Sequence, residues 1–243
     1  MAQAAPRRRA VPIDAETAHG SHRGAPGEPA VTDRYPPSEG RARSHRADRK
    51  DVFRTTYAVW AGRFQPFHLG HFRTIRRMAR LGRPLTIAVI ATSAASGRGA
   101  YGRRAAEAGA ACRNPLTVWE RMEMIRLALS AEPLPVELRV IGVPRPDVDW
   151  HLTASFYPSA RVIYLTDRDE FESVKLRHYT SLGEDVVVVG VKDLPTVSAS
   201  EVRARIRAGA EWQSMLHPAT VDYFKEIHGP ERLTGTNRSP GIE

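Results

Sequence analysis

One stretch of the chain, YAVWAGRFQPFHLGHF at residues 57–72, constrains the fold more than any other. Its first five residues are mostly apolar and predict a buried strand, and the apolar spacing that follows predicts a helix over 70–81. Between the two come Gly62 and a pair of histidines, His68 and His71. A strand that passes through a glycine into a helix N-terminus is a frequent phosphate site, because the first-turn N–H groups lack partners and the helix dipole is positive there.

The remainder of the chain alternates between apolar segments with strand character and segments with helical spacing. A helix is predicted from the N-cap Thr117 to residue 130, with Glu120 at capping-box distance. Strands that are apolar throughout are typical of parallel sheets covered on both faces. The alternation therefore predicts an α/β fold, a doubly wound parallel five-stranded sheet with helices on both faces, which binds ligands at the carboxyl ends of its strands. After the first strand, the other four are predicted at 85–91, 136–143, 161–166 and 185–191.

Composition divides the chain into three parts. Residues 1–52 mix Pro, Gly, Arg, Ala and Ser with few large apolar residues, so we expect a disordered tail, with an Arg-rich docking arm as the alternative. Residues 53–230 form the predicted domain. The chain is expected to fray from residue 229, with 231–243 as a flexible C-terminal tail. Within the domain, the glycine-rich segment 97–112 is predicted to be an inserted mobile loop.

Charge and cysteine content narrow the choice of partners. The net charge of +9 suits an anionic small ligand, and no basic stripe interleaved with aromatic residues supports nucleic-acid binding. No apolar run is long enough to span a bilayer, so no membrane partner is predicted. Cys112 is the only cysteine, which rules out an intrachain disulfide and fits a reducing, cytoplasmic location.

The polar residues of the first loop are donors rather than acids. Gly62 would let the backbone approach a ligand closely, and the planar fork of Arg63 matches two phosphate oxygens. His68 and His71 could instead be satisfied by the backbone or bind metal, but two histidines without a nearby third ligand make a poor zinc site, so no metal site is predicted. The combination suits a polyphosphate whose negative charge grows during reaction.

The string GRFQPFHLGH resembles the H-x-G-H loop of the nucleotidylyltransferase superfamily, in the form typical of archaeal-type nicotinamide-nucleotide adenylyltransferases. The resemblance implies a Rossmann-like sheet, a nucleoside triphosphate substrate and release of pyrophosphate. It also implies that His71 binds the α-phosphate and that His68 contacts the same triphosphate. Gly62, Arg63 and Phe64 then belong to the nucleotide site.

Two further segments carry the same resemblance. SASEVR resembles the family motif I-S-G-T-x-x-R, with Ser198, Ala199, Ser200 and Arg203 at matching positions. The motif implies that the two hydroxyls and Arg203 hold the β- and γ-phosphates, whereas an ordinary serine N-cap with a solvated arginine is the alternative. RNPLTVWER resembles R-D-P-F-T-x-x-E-R, which implies that Arg113 reaches the nucleotide phosphates or the acceptor.

The acceptor side departs from the family pattern. Asp147 matches the aspartate of its P-D pair, but Ala154 stands where the family has a tryptophan that stacks on nicotinamide. Trp150 either stacks on the acceptor ring in its place or packs against the following helix. After the fourth strand, TDR at residues 166–168 replaces the family's S-G-N segment. Asp147, Trp150 and Asp167 are therefore the candidate acceptor-binding residues.

The resemblance implies transfer of the adenylyl group of ATP to a phosphorylated acceptor, nicotinamide mononucleotide in the first instance, for NAD biosynthesis. One alternative is a relative that uses CTP or another nucleoside triphosphate with a different phosphorylated acceptor, and a second is a nucleotide-binding regulator without turnover. The candidate catalytic residues, which favour turnover, are His71, His68, Arg63 and Arg203. Mg²⁺ is expected to bind mainly through the triphosphate. The acceptor's identity stays open, and a homo-oligomer is compatible with the sequence.

Overall fold

Five parallel strands form the centre of the computed structural model, which describes residues 56–91, 99–101 and 114–235. The strands are β1 (Tyr57–Gly62), β2 (Leu85–Ile90), β3 (Leu138–Val143), β4 (Arg161–Thr166) and β5 (Val186–Val189). They pair in the order β3-β2-β1-β4-β5. In this register Trp60 of β1 lies opposite Ile87 of β2, and Val59 lies opposite Ile163 of β4. The predicted parallel five-stranded sheet is confirmed.

Helices connect the strands and complete the chain. In order they are α1 (Leu69–Ala79), α2 (Val118–Ala131), α3 (Trp150–Ala154), α4 (Glu170–Ser181), α5 (Ala199–Arg207), α6 (Pro218–Glu226) and α7 (Gly229–Thr234), with a 3₁₀ turn at Gln213–Met215. The predicted capping box is present, because the Thr117 hydroxyl accepts from the Glu120 N–H and the Glu120 carboxylate accepts from the Thr117 N–H. No helix in the described part of the chain is long and apolar enough to cross a bilayer.

Two hydrophobic cores lie on opposite faces of the sheet, because successive side chains of a strand point to opposite sides. Ala58 and Trp60 of β1 belong to the larger core, which also contains Ile75 of α1. This core takes in buried side chains of α2, α5, α6 and α7 as well. Val59 belongs to the smaller core, which packs against α4 through Tyr179. Helices therefore cover both faces, as the doubly wound prediction requires.

The C-terminal end differs from the prediction of a tail that frays from residue 229. Residues 229–234 form α7, and Leu233 is only 4% exposed in the larger core. Arg232 donates to both carboxylate oxygens of Glu120 and to the carbonyl of Pro115, which fastens α7 to the start of α2. A helix this short carries no readable apolar period, so the sequence pattern did not reveal it. Residues 236–243 lie outside the described part.

The apolar spacing of Val118, Met122, Ile125 and Leu129 predicts the inner face of helix α2, and all four belong to the larger core or pack against it. The buried residues of the helix are Arg121, Met124, Ile125 and Ala128. Val118, Met122 and Leu129 are half-buried. The buried face thus also includes an arginine that reaches the carboxyl ends of β1 and β2, as described below.

Candidate active site

A cleft of about 530 Å³ opens beside the carboxyl ends of the strands, where a doubly wound sheet is expected to bind ligands. Its walls come from the segments after β1, β2, β3 and β4 and from the start of α5. Trp150 and Asp167 do not line it, and Arg113 lies outside the described residues. The predicted site residues that do line it are Gly62, Arg63, Phe64, His68, His71, Asp147, Ser198, Ser200 and Arg203.

Two stacked imidazoles form the floor of the cleft at the start of α1. His68 is the N-cap of the helix and is 3% exposed. Its backbone N–H donates to Nδ1 of the His71 ring at 3.3 Å. The ring centroids lie 3.7 Å apart with planes 21° from parallel. Because Nδ1 of His71 accepts this bond, the proton of a neutral His71 lies on Nε2, which leaves Nε2–H as the available donor.

Both histidines are held neutral. Burial lowers the pKa of His68 from 6.5 to about 3, and the positive charges of Arg168 and Arg203 act in the same direction. Burial also lowers the pKa of His71 well below its ordinary value, with His68 and Arg168 as further causes. The pair therefore offers a phosphate neutral N–H donors, and the permanent positive charge of the site comes from its guanidinium groups.

Gly62, which lines the cleft, also has a structural role in its own loop. A Cβ at this position would come within 2.8 Å of the Phe64 ring, so the glycine makes room for a side chain of its own loop. Phe64 has φ 52° and is 1% exposed. Its ring meets the His71 ring edge-on, with centroids 5.0 Å apart, and it also packs against Trp60 at 5.2 Å. Phe64 thus supports His71 from behind.

A second glycine, which we did not single out from the sequence, brings two helix N-termini together. A Cβ on Gly70 would lie 2.6 Å from the carbonyl oxygen of Val197 and 3.0 Å from the His68 ring. The first turn of α1 can therefore approach the segment that leads into α5. Arg73 of α1 strengthens this contact by donating to the carbonyl of Pro195 at 3.1 Å. Both helices consequently direct their N-terminal ends at the same cleft.

The start of α5 combines a serine cap with an arginine that is not simply solvated. Ser198 is the N-cap, and its Oγ accepts from the Glu201 N–H at 3.1 Å. Arg203 donates through Nη1 to the carbonyl of Gln65 at 2.9 Å and through Nη2 to Oγ of Ser200 at 3.2 Å. The ordinary capping contact is therefore present, but Arg203 also joins α5 to the loop after β1. Ser198 and Ser200 both accept in these bonds and keep their O–H groups as donors.

Arg121 is a buried cation, 1% exposed, that bonds to the cleft residues Arg63 and Ile90 but does not line the cleft itself. Its Nη1 donates to the carbonyls of Arg63 at 2.6 Å and Ile90 at 2.9 Å. Its Nε donates to the carbonyls of Leu116 at 3.2 Å and Thr117 at 3.0 Å. Burial lowers the pKa of Arg121 to about 10, so the group stays charged at neutral pH. One guanidinium thus links the loop after β1, the end of β2 and the start of α2.

Asp147 lines the cleft, but its carboxylate is already bound. Arg145, a cleft residue missed in the sequence, donates to it through Nε at 3.0 Å and Nη2 at 2.5 Å, and both residues are buried. The Asp147 carbonyl accepts from the Ala100 N–H at 2.7 Å, and a Cβ on Gly99 would overlap the Asp147 carboxylate. The aspartate therefore holds Arg145 and the segment after β2 in place.

The other two predicted acceptor residues lie outside the cleft, which corrects both predictions. Trp150 packs into the smaller core, edge-on to Tyr157 at 5.9 Å and to Tyr179 at 5.4 Å, so the structure selects the packing alternative. Asp167 accepts from the Val191 N–H at 2.7 Å and so ties the end of β4 to the segment after β5. In both cases the side chain makes a structural contact instead of the ligand contact that the sequence predicted.

Aromatic surface for a ligand comes instead from Tyr101, Phe171 and Trp60, which line the cleft. Phe171 on α4 is half-buried and meets Tyr101 edge-on at 5.5 Å. Lys175, one turn further along α4, lies 5.2 Å above the Phe171 ring and pairs with Glu172 at 2.5 Å. The i, i+4 spacing of Phe171 and Lys175 after a strand was the available sequence signal.

The acidic residues of the cleft do not form a metal cage. Among the described residues, no three His, Cys, Asp or Glu side chains are grouped closely enough to hold an ion. Asp147 and Glu172 are paired with Arg145 and Lys175, and Asp169 caps α4. These residues therefore do not fit a resident Mg²⁺ ion.

The chain is similar to known proteins over most of its length. The family model described as cytidylyltransferase-like matches residues 59–205. Nicotinamide-nucleotide adenylyltransferase from Pyrococcus horikoshii is 28% identical over 180 residues, which cover 72% of this chain and 86% of that protein. The enzyme of the same name from Methanolobus tindarius is 28% identical over 188 residues, which cover 75% of this chain and 95% of that protein.

A solved structure supports the fold. The bifunctional NMN adenylyltransferase/ADP ribose pyrophosphatase from Francisella tularensis superimposes with a TM-score of 0.52 at 17% identity. The match covers 74% of this chain but only 52% of that protein, so this chain spans about half of its length. Together, the family match and the curated relatives confirm the predicted nucleotidylyltransferase. Because the family model matches more than half of its residues, the chain belongs to the cytidylyltransferase-like family.

Proposed function

We propose that this protein transfers the adenylyl group of ATP to nicotinamide mononucleotide, which gives NAD and releases pyrophosphate. The observation that carries the proposal is the approach of two helix N-termini across Gly70, which brings the His68–His71 pair to the start of α5. Ser198 and Ser200 add hydroxyl donors to this junction. Helix N-termini, neutral imidazoles and hydroxyls all bind phosphate oxygens.

The triphosphate would lie along this junction. The Nε2–H of His71 would donate to the α-phosphate, where negative charge grows during transfer, and the edge-on Phe64 ring would keep the imidazole in place. The N-terminal N–H groups of α5, the two serine hydroxyls and Arg203 would hold the β- and γ-phosphates. These groups are all donors, so they would stabilise the leaving pyrophosphate.

The reaction itself needs no general base. An oxygen of the acceptor phosphate forms a bond to the α-phosphorus, the bond from that phosphorus to the pyrophosphate oxygen breaks, and the electron pair leaves with pyrophosphate. A phosphomonoester has its second pKa at about 6, so the nucleophile is already ionised at neutral pH. No proton has to move, and positioning with charge stabilisation suffices. The cleft carboxylates, paired with Arg145 and Lys175, are accordingly not required as bases.

At the acceptor end, Phe171 and Tyr101 would take the place that Trp150 was expected to fill. Stacking of a flat ring on an aromatic side chain is worth about 1–3 kcal/mol in comparable nucleic-acid sites. The buried Arg145–Asp147 pair beside these rings would present fixed polar groups to the substituent of the acceptor ring. This end of the cleft is where the chain departs most from the family pattern.

That departure favours one alternative, nucleotidyl transfer to a different phosphorylated acceptor or from a different triphosphate such as CTP. Two observations support this alternative. Trp150 packs into the smaller core, and Asp167 accepts a hydrogen bond from the Val191 N–H. In either version we propose a cytoplasmic enzyme, in keeping with the single cysteine, that needs Mg²⁺ bound to the triphosphate.

The test is pyrophosphate release from a matrix of ATP, CTP, GTP and UTP with nicotinamide mononucleotide, its nicotinate analogue and other phosphorylated acceptors. The proposal expects the highest kcat/KM for ATP with nicotinamide mononucleotide. A higher kcat/KM for CTP, or for a different acceptor, would support the alternative. Tight ATP binding without turnover for any pair would favour a regulator. His71→Ala, purified in parallel, controls for contaminating host enzyme.

A further inference from the structure

The turn after β4 is held rigidly on both sides of a single cleft residue, Arg168. The Thr166 N–H donates to the Glu172 carboxylate at 2.9 Å. Asp167 accepts from the segment after β5, and Asp169 caps α4 by accepting from the Phe171 N–H at 2.9 Å. The residues on both sides of Arg168 are thus fixed by hydrogen bonds, while Arg168 itself lines the cleft. Its backbone is fixed before any ligand arrives, which lowers the entropic cost of a contact.

The Arg168 guanidinium has no hydrogen bond or ion pair within residues 56–91, 99–101 and 114–235. Because it is half-buried in a concave site, an unpaired charge at this position is a ready partner for an anion. Three other cations of the cleft are engaged, since Arg145 pairs with Asp147, Lys175 pairs with Glu172, and Arg203 donates to Gln65.

Arg168 faces the same part of the cleft as the two histidines. Strands β1 and β4 are parallel neighbours in the sheet, so the segments that follow them start side by side at the same edge. His68, His71 and Arg168 all line the cleft, and the positive charge of Arg168 is among the causes that lower the pKa of both histidines. An anion bound by the Nε2–H of His71 would therefore also lie within the influence of Arg168.

We propose that Arg168 is a further catalytic residue, which binds the non-bridging oxygens of the α-phosphate from the β4 side while His71 donates from the β1 side. The inference rests on the proposed nucleotidyl transfer. As the acceptor oxygen bonds to the α-phosphorus and the bond to pyrophosphate breaks, charge accumulates on those oxygens. The contact is therefore stronger in the transition state than with bound ATP, so it acts on kcat.

The experiment compares Arg168→Ala and Arg168→Lys with the control Arg177→Ala, which removes an exposed arginine from α4. Loss of one transition-state donor typically lowers the rate by about 10²–10³-fold, and we expect this loss in kcat for Arg168→Ala, with KM values near those of wild type. Arg168→Lys should recover part of kcat, since it keeps the charge but loses the planar fork. Arg177→Ala should match wild type.

Several outcomes would overturn the inference. A wild-type kcat in Arg168→Ala would exclude the contact, and an effect confined to the KM for ATP would assign Arg168 to ground-state binding. Melting temperature and calorimetric ATP affinity establish that each variant is folded. If the alanine variant fails to fold, Arg168→Lys decides, because a folded lysine variant with wild-type kcat would equally contradict the proposal. Absence of turnover in wild type would instead refute the proposed function, and this inference with it.

Discussion

Replacing Arg121 by methionine tests whether one buried guanidinium holds together the segments that carry the cleft residues Arg63 and Ile90. The substitution keeps an unbranched, apolar stem but removes the donors to the carbonyls of Arg63, Ile90, Leu116 and Thr117. Those acceptors belong to three separate segments that lie around a site with 1% exposure, so water has little access to replace the lost bonds.

Two opposing effects set the magnitude. Hydrogen bonds to a charged group contribute about 1.5–3 kcal/mol each, and the buried acceptors left without a donor add their own cost. Removing a charge that burial disfavours, as its lowered pKa shows, offsets part of this loss. The four lost bonds outweigh this offset, and we expect Arg121→Met to cost about 3–5 kcal/mol. For a domain of this size the melting temperature would drop by on the order of 10 °C.

Urea and thermal unfolding of Arg121→Met, Arg121→Lys and a control, Arg126→Met, measure the effect. Arg126 lies on the same helix but is half-exposed, pairs with Glu123 at 3.5 Å and stacks over Trp119 at 5.3 Å, so its loss should cost less than about 1 kcal/mol. Arg121→Lys should fall between the two, because an ammonium group cannot match the planar fork. Equal stabilities of Arg121→Met and Arg126→Met would refute this reasoning.

Three further predictions concern the histidine loop. His71→Ala should lower kcat by about 10²–10³-fold and leave calorimetric ATP affinity nearly unchanged, because its contact strengthens as charge develops; near-normal turnover would contradict this role. Gly70→Ala should cost about 1–3 kcal/mol of stability and most of the activity, since the new Cβ would lie 2.6 Å from the Val197 carbonyl. The control Gly190→Ala, with its nearest neighbour at 3.9 Å, should be nearly neutral, and equal effects would exclude the packing argument. Finally, the pKa of His68 is 6.5 in the unfolded chain and about 3 in the folded protein. The unfolded chain therefore binds a proton that the folded protein does not, and the free energy of unfolding should fall as the pH drops from 6.5 to 3, by about 1.4 kcal/mol per pH unit for this group. Urea unfolding at several pH values should show a shallower slope for His68→Asn, and an unchanged slope would rule out this contribution.

Local patterns predicted the parts of the molecule that local interactions determine. The apolar run of β1, the capping box at Thr117 and the serine cap of α5 each depend on residues within a few positions of one another. The doubly wound parallel sheet follows because few topologies are compatible with alternating strands and helices. The cleft at the carboxyl ends of the strands could be located for the same reason.

Contacts between distant segments account for what the sequence missed. Position 70 needs a glycine because a Cβ would collide with the carbonyl of Val197, more than a hundred residues later. Arg121 donates to carbonyls in three segments. The sequence gives no sign of either contact, because the partner atoms are backbone carbonyl oxygens, which every residue has. Trp150 failed as a ligand residue for a related reason, since its direction is set by Tyr157 and Tyr179 in the smaller core.

The neutrality of the histidine pair explains how the site can handle a highly charged substrate without depending on a titrating group. A protonated histidine would add charge to a floor that already faces Arg168 and Arg203, and those charges, together with burial, oppose its protonation. The guanidiniums supply charge that does not change near neutral pH, and the imidazoles supply directional donors. In the proposed reaction, the remaining ionisation near neutral pH belongs to the acceptor phosphate, whose dianion would be the nucleophile. The protein therefore contributes fixed geometry and fixed charge, and the substrate itself carries the reactive ionisation.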